Sequence, residues 1–226
     1  MNYNDFDQYE TQKTDIDYEY YGMPEKEQEQ PLVRKGITLT KILIAFSVIV
    51  YAVTEIMGDT ESAEFMHSCG ALWTEDVLNG EYWRLVTPIF LHFGPEHLFG
   101  NVVLWYFMGD VLERAIGKLN YFILFILSGV AGNVLTVLWE IHTGEYAVSA
   151  GASGAVFGIL GALLLLVIIN KGHFEYMSLK RMLFFIVFSL IVGYESAGVN
   201  YIAHAGGLAA GFVLAFPMEK IYTKLG

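Results

Sequence analysis

The chain has 226 residues, of which 54% are hydrophobic, and its formal net charge at pH 7 is −11. The mean hydropathy of +0.44 predicts an integral membrane protein rather than a water-soluble domain. A single cysteine, Cys69, excludes an intramolecular disulfide. The chain offers no basic tract that would predict a nucleic acid partner.

Residues 1–30 differ in composition from the rest of the chain. They contain nine acidic residues, two lysines and five tyrosines, and almost no aliphatic side chains. Such a segment cannot bury enough apolar surface to fold, so we expect a disordered tail that carries most of the negative charge. A solvating extension and a docking segment both fit this composition. The acidic leading residues do not resemble a signal peptide.

Residues 31–226 are predicted to form one membrane domain of the all-α class. A membrane span needs about 20 apolar residues to cross about 30 Å of hydrocarbon. The candidate spans lie near residues 37–57, 95–113, 119–139, 148–169, 181–194 and 200–218. The fifth is the shortest of them. The sequence therefore predicts a polytopic bundle of six transmembrane helices.

The positions of the basic residues predict the orientation of this bundle. With the N-terminus inside, twelve of the thirteen lysines and arginines lie on the cytoplasmic side, and Arg84 alone lies outside. The positive-inside rule therefore predicts that both termini are cytoplasmic. The connection at about 58–94 becomes an outer loop. Its aromatic residues, such as Trp73 and Trp83, predict that this loop lies in the outer interface of the membrane.

Three of the predicted spans carry polar residues, which are costly at membrane depth and therefore indicate function. Ser153 follows Gly151 in the fourth span, about five residues or roughly 8 Å below the predicted outer end. His204 lies at a similar depth in the sixth span. The second span places His97 and Asn101 one helical turn apart. We expect these four polar side chains to converge at one depth.

Small residues predict how two of these spans meet. Gly154 and Gly158 on the fourth span match the Gly207-x-x-x-Gly211 spacing on the sixth. Small residues at this spacing let helix backbones approach closely in lipid. The pattern therefore predicts that the fourth and sixth spans pack tightly beside Ser153.

The residue types indicate acyl-transfer chemistry. A serine hydroxyl is a weak nucleophile until a base accepts its proton, and a neutral imidazole suits that role, so Ser153 and His204 are predicted as nucleophile and base. The backbone N–H of Ser153, with Asn101 and His97, would stabilise the oxyanion. No carboxylate is predicted at this level, so we expect a dyad. Phe157 either stacks on the histidine ring or packs as an ordinary core residue.

Together these motifs resemble the rhomboid family of intramembrane serine proteases, from the first predicted span to the last. The matching elements are Gly151-Ala152-Ser153-Gly154, His97 with Asn101, His204 with Gly207 and Gly211, and Trp83-Arg84. The resemblance implies that Ser153 and His204 form the catalytic dyad and that Asn101 and His97 stabilise the oxyanion. It also implies that Trp83 and Arg84 brace the outer loop. Some relatives have tyrosine where this chain has Phe157. Phenylalanine keeps the aromatic face for stacking but lacks the tyrosine hydroxyl.

The resemblance further implies a function. It implies an endopeptidase that cleaves transmembrane segments of other membrane proteins near the outer face of the bilayer, with no metal or cofactor. We expect a multi-pass protein of a prokaryotic plasma membrane, with its active site open to the outer side. The fifth span, with Phe184, Phe185 and Phe188, is the candidate mobile wall for lateral access, although packing alone also explains these rings.

Three other functions compete with this interpretation. A non-catalytic rhomboid-like protein would bind membrane clients, but such relatives typically lack the serine or the histidine. A transporter would be expected to show paired internal repeats, and we see none. A metal hydrolase would use His92, His97 and His204, but the spacing of the first two does not place them on one helix face. His92 is expected to belong to the outer loop.

Overall fold

The computed structural model describes residues 38–194 and 200–218. Six longer helices are α1 (Leu39–Met57), α4 (Gly94–Ile116), α5 (Lys118–Thr143), α6 (Ser153–Ile169), α7 (Leu179–Tyr194) and α8 (Tyr201–Ala215). Two short helices, α2 (Ala63–Ser68) and α3 (Thr74–Leu78), lie between α1 and α4, followed by 3-10 turns at Tyr82–Leu85 and Thr87–Phe90. A hairpin of β1 (His173–Phe174) and β2 (Met177–Ser178) precedes α7, and a 3-10 turn at Phe216–Met218 follows α8.

The expectations for the tail at 1–30 and for the basic residues near both termini lie outside the described residues, as do residues 195–199 themselves. Elsewhere the mostly helical fold is confirmed, and each predicted span corresponds to one longer helix. Among the described residues, α1, α5 and the stretch Tyr201–Met218 are long and apolar enough to cross a membrane. The α6 helix is also apolar but has 17 residues.

The start of the fourth span differs from the prediction. The sequence places it near residue 148, whereas α6 begins at Ser153. The preceding residues are not helical because Ser149 pairs with Leu72 in an antiparallel bridge, with N···O distances of 2.8 and 3.1 Å. Gly151 then takes a φ of +143°, which a helix does not allow. Ser153 is therefore the first residue of its helix and not the sixth residue of a longer one.

The α6 helix is the centre of the bundle. Thirteen of its 17 residues are buried, which fits a helix that is apolar on every side. It packs against α4, α5, α7 and α8. Ser153, at the N-terminus of α6, therefore belongs to a helix that several neighbouring helices hold in place.

The closest of these contacts joins α6 to α8 through backbone atoms. A Cβ added at Gly207 would overlap the carbonyl oxygen of Gly154, and one added at Gly211 would overlap that of Gly158. The α5 helix also approaches α8 closely, because a Cβ at Gly132 would lie 2.6 Å from the carbonyl oxygen of Ala203. The fourth and sixth spans therefore pack closely, as predicted, and α5 packs closely against α8 as well.

A buried carboxylate connects α1 to α4. The two carboxylate oxygens of Glu113 accept hydrogen bonds from the backbone N–H of Leu39 at 2.9 Å, and from the N–H and hydroxyl of Thr40 at 2.8 and 2.9 Å. Helix N-termini have unpaired N–H groups and a partial positive charge, so an acidic side chain stabilises them. Glu113 thus fixes the start of α1 from a position more than seventy residues away in the chain.

We expect Gly207→Ala to lower the free energy of unfolding by about 1–3 kcal/mol, because the added methyl group meets backbone that cannot move aside. The matched control is Gly100→Ala in α4, where a Cβ would meet nothing within 4 Å. Thermal unfolding in detergent measures both variants. An unchanged midpoint for Gly207→Ala would contradict the tight contact between α6 and α8.

Candidate active site

A cavity of about 600 Å³ lies between α4, α6, α7 and α8. Ser153, His204, His97 and Asn101, the four predicted site residues, all line it. The other lining residues are mostly apolar: Phe99, Val103, Leu104, Phe107, Met108, Val156, Phe157, Phe184, Phe185 and Phe188, together with Glu96, Gly100 and Ser189. The fold therefore brings the four polar side chains to a single, largely apolar space.

Three helices present their first turns to this cavity. Ser153 is the first residue of α6, and His97 and His204 are each the fourth residue of α4 and α8. The first N–H groups of a helix have no partner within the helix, and the helix dipole places partial positive charge there. This end of the bundle is consequently suited to stabilise a negatively charged oxygen.

The turn before Ser153 depends on a glycine. A Cβ at Gly151 would lie 2.7 Å from Cε1 and 2.9 Å from Nε2 of His97, and 3.7 Å from Oγ of Ser153. Its φ of +143° also disfavours any residue with a side chain. Glycine at this position lets the His97 ring lie against the backbone beside the serine.

His92 supports the same turn, and the sequence did not predict this role. Its side chain is buried, and its Nε2 accepts a hydrogen bond from the backbone N–H of Ala152 at 3.3 Å. Its ring meets the ring of His97 edge to face, with centroids 5.5 Å apart. Burial, with His97 nearby, lowers the pKa of His92 to about 3, so the ring stays neutral and can accept. His92 does lie in the connection before α4, as expected, but inside the protein.

A second bond holds the turn at its other side. The backbone N–H of Gly151 donates to the carbonyl oxygen of Pro88 at 2.9 Å. Pro88 belongs to the 3-10 turn Thr87–Phe90, close in the chain to His92. One short stretch of the connection between α1 and α4 thus positions the backbone that leads to Ser153.

His204 is held by packing. Its ring stacks on the ring of Phe157, with centroids 4.3 Å apart and an angle of 6° between the planes. Tyr201 contacts it edge to face at 6.1 Å. The side chain is buried, and neither ring nitrogen has a hydrogen-bond partner among the described residues. The stack predicted as one of two possibilities for Phe157 is therefore present, and no described carboxylate orients the imidazole.

Asn200 positions the helix that carries His204. Its Oδ1 accepts from the N–H of Ala203 at 2.9 Å and so caps α8, while its Nδ2 donates to the hydroxyl of Ser149 at 3.3 Å. Ser149 lies shortly before Ser153 in the chain. The cap of α8 is thereby connected to the segment that leads to the serine.

The Asn101 amide is oriented within its own helix. Its Nδ2 donates to the carbonyl oxygen of His97 at 2.9 Å, one turn earlier in α4. An amide nitrogen carries two hydrogens, so a second one is available to a ligand. The side chain is buried and lines the cavity.

The structure places Trp83 and Arg84 in the connection between α1 and α4, away from the cavity lining. The buried Arg84 guanidinium donates to the carbonyl oxygens of His67 and Ala71, each at 2.9 Å, and pairs with Glu81 at 2.6 Å. It also lies 4.5 Å from the ring centroid of Trp83. These contacts join separate parts of the connection, as a bracing residue would.

Comparison with known proteins adds to this geometry. The family model of the Rhomboid domain matches residues 79–220, which include α4 to α8 and the whole cavity. The chain belongs to the rhomboid family. Together with the apolar helices, this membership makes it an integral membrane protein.

Several curated relatives extend the match towards the N-terminus. Rhomboid protease GluP of Bacillus subtilis (strain 168) is 32% identical over 178 residues, which are 79% of this chain and 34% of that protein. RHOMBOID-like protein 5 of Arabidopsis thaliana is 39% identical over 153 residues, 67% of this chain and 48% of that protein. RHOMBOID-like protein 7 of the same plant is 31% identical over 180 residues, which are 79% of this chain and 56% of that protein. The chain thus spans about a third to just over half of these relatives.

The described residues contain no group of three or more histidine, cysteine, aspartate or glutamate side chains that could hold a metal ion. His92 and His97 are close to each other, but the His92 Nε2 already accepts from a backbone N–H. His92 thus contributes a hydrogen bond and a ring contact to the turn before Ser153.

We expect a fall in pH to lower the stability of the wild type more than that of the His92→Gln variant. Between about pH 6.5 and 3 an unfolded histidine binds a proton that the buried, neutral His92 does not, so stability falls as the pH falls through this range. Glutamine can still accept from Ala152 but does not titrate. Thermal midpoints in detergent, measured from pH 7 to pH 4, test this difference.

The control for this measurement is His142→Gln, because His142 is exposed at the end of α5. Its midpoints should follow those of the wild type at every pH. Parallel curves for the wild type and His92→Gln would contradict the neutral, buried state of His92.

Proposed function

We propose that this chain is an intramembrane serine endopeptidase, with Ser153 as nucleophile and His204 as general base. One observation carries the proposal: both residues line one cavity together with His97 and Asn101, in a chain of the rhomboid family. A relative named as a rhomboid protease supports peptide-bond hydrolysis as the reaction. The substrates are transmembrane segments of other membrane proteins.

The reaction proceeds by acyl transfer. His204 accepts the proton of the Ser153 hydroxyl as Oγ attacks the carbonyl carbon of the substrate. The oxyanion accepts hydrogen bonds from the Ser153 backbone N–H and the side chains of Asn101 and His97. The peptide C–N bond breaks, and the leaving amine takes the proton from His204. Water, deprotonated by His204, then attacks the acyl-enzyme. The ester C–O bond breaks, His204 returns the proton to Oγ of Ser153, and the carboxylic acid product leaves and ionises.

Among the described residues no carboxylate orients the imidazole. The stack on Phe157 fixes the plane of the ring, and the capped start of α8 fixes its position. This arrangement supports a dyad in which packing orients the imidazole, which is one of the tasks of the acidic third residue in a triad.

The membrane arrangement is also a proposal. The six longer helices span the bilayer with both termini cytoplasmic, and residues 1–30 form an acidic cytoplasmic tail before the membrane domain of 31–226. The connection at about 58–94 then lies at the outer interface, and the cavity opens near the outer face of a prokaryotic plasma membrane. Cleavage occurs there, where water can reach His204.

A substrate must unwind before it is cut. A peptide bond in a helix is shielded by its own turn and hydrogen bonds, and small or helix-breaking residues make local opening less costly. The apolar lining of the cavity fits a segment that comes from lipid.

We expect a fluorophosphonate probe to label the purified protein in detergent, because an activated serine reacts with it. Ser153→Ala should abolish labelling, and His204→Ala should reduce its rate by about a thousandfold or more. Gel fluorescence and mass spectrometry of the labelled peptide measure the effect. The controls for folding are the thermal midpoints of both variants.

Absent labelling of a folded, accessible wild-type sample would contradict the activated dyad. It would favour the alternative function, a non-catalytic rhomboid-like protein that binds membrane clients. Labelling that survives in Ser153→Ala would instead assign the nucleophile to another residue.

We further propose that α7 is the mobile wall through which substrates reach the cavity. Phe184, Phe185 and Phe188 line the cavity, and Phe184 and Phe188 are more than half exposed at the surface of the protein. The α7 helix packs against α6 less extensively than α8 does. A helix with fewer packing contacts opens at a lower cost in free energy.

Phe188→Ala is expected to raise the rate of cleavage of a transmembrane substrate about twofold or more, because a smaller side chain lowers the barrier to access. Val187→Ala is the matched control, since Val187 is exposed on the same helix but does not line the cavity. Cleavage in proteoliposomes measures both. A lower or unchanged rate in folded Phe188→Ala would contradict the role of α7.

A further inference from the structure

One cavity residue has a charge that the proposed chemistry does not use. Glu96 is the only Asp, Glu, Lys or Arg among the described residues that line the cavity. Its side chain is exposed, and it forms no hydrogen bond or ion pair with any residue in 38–194 or 200–218. A carboxylate without a partner in these two ranges therefore lies in the wall of an otherwise largely apolar space, directly before His97 in the chain.

The position of Glu96 on α4 follows from helix periodicity. Residues 96, 100, 103 and 107 are separated by steps of four, three and four, so they share one face, and all four line the cavity. Residues 97, 101, 104 and 108 form the neighbouring face and line it too. The face of 97, 101, 104 and 108 carries the predicted oxyanion residues. The face of 96, 100, 103 and 107 carries Glu96 at its N-terminal end.

The face headed by Glu96 is open. Gly100, one turn further along, has no side chain, and a Cβ there would meet nothing within 4 Å. Beyond it the face is apolar, with Val103 and then Phe107. A chain lying along this face would meet a carboxylate, then free space, then apolar side chains, all within the cavity that Ser153 also lines.

We propose that Glu96 determines specificity, selecting substrates that carry lysine or arginine within two residues of the scissile bond. This inference rests on the proposed proteolytic function and names its substrate class: membrane segments with a cationic residue beside the cleavage site and an apolar stretch next to it. Glu96 precedes His97 directly, so its backbone lies one residue from the oxyanion site. The reach of a long cationic side chain bridges the remaining distance.

The expected preference is moderate. Exposed ion pairs contribute little free energy to binding because water and salt screen them. The low dielectric of an apolar cavity strengthens the attraction between the two charges. We therefore expect a threefold to tenfold effect on kcat/KM, which becomes smaller as the salt concentration rises. Such a preference separates substrates without affecting the chemical step.

A structural role for Glu96 must be distinguished from this one. Acidic residues in the first turn stabilise a helix through its dipole, and Glu96 occupies that turn of α4. A variant that merely loosens α4 would lower cleavage of every substrate equally. Specificity is therefore measured as a ratio between substrates for one enzyme, which a uniform loss of activity does not change.

The experiment uses single-span substrates that differ at one position. Lysine, glutamine or glutamate is placed in turn at each of two positions on either side of a fixed scissile bond. The parent substrate is neutral at all four. The full-length wild type, Glu96→Gln and Glu96→Lys cleave each substrate in a nonionic detergent, and mass spectrometry gives kcat/KM and the bond cut. Glu64→Gln is the matched control, because Glu64 is also an exposed first-turn carboxylate but lies outside the cavity.

The lysine-to-glutamine ratio of kcat/KM should be about 3 to 10 in the wild type and Glu64→Gln at one or more of the four positions. It should be close to 1 in Glu96→Gln, and glutamate should be the better substrate for Glu96→Lys. Equal ratios in the wild type and Glu96→Gln, with the neutral parent still cleaved, would overturn this inference alone. No cleavage of any substrate by a folded wild type would overturn the proposed function, and the inference with it.

Discussion

The contact on which the site depends is the one between the backbones of α6 and α8. Gly207 lies against the carbonyl oxygen of Gly154, and Gly211 against that of Gly158. In lipid no hydrophobic effect drives helices together, so close packing of small residues has to supply the association. Serine has a short side chain, and its helix must approach that of the histidine closely before the two can act together. The proposed chemistry would therefore depend on these glycines as well as on the reacting groups.

Polar groups at the ends of the helices hold this bundle in register. Glu113 caps α1, Asn200 caps α8, and Glu140 accepts hydrogen bonds from the hydroxyl of Thr74 and the N–H of Ala147 at 2.5 and 3.3 Å. Arg84 joins separate parts of the connection between α1 and α4. Each of these groups is costly to bury alone. Each has at least one partner outside its own helix or turn, which for Asn200 is Ser149. The middle of the bundle can then consist of apolar residues and glycines.

Much of this arrangement could be predicted from the sequence because its signals are local. Long apolar runs give the helices, and the spacing of Gly207 and Gly211 gives the contact with α6. What could not be predicted depends on distant pairing. His92 is five residues before His97, and only the folded chain shows that it accepts from Ala152. The sequence also predicts too early a start for α6. The bridge between Ser149 and Leu72, which are far apart in the chain, stops the helix from extending backwards.

In the proposed dyad, where no described carboxylate orients His204, catalysis would depend on the rigidity of the fold. In a triad, a hydrogen bond to the second ring nitrogen fixes the tautomer of the histidine and stabilises the imidazolium. Here neither nitrogen of His204 is bonded to a described residue, and the stack on Phe157 fixes the plane of the ring but not its tautomer. Either nitrogen can then carry the single proton of the neutral ring. In the proposed reaction, the position of the ring relative to Ser153 would decide which nitrogen accepts the serine proton. That position is set by α8 and its contact with α6, so a small displacement of either helix would change the geometry of proton transfer directly.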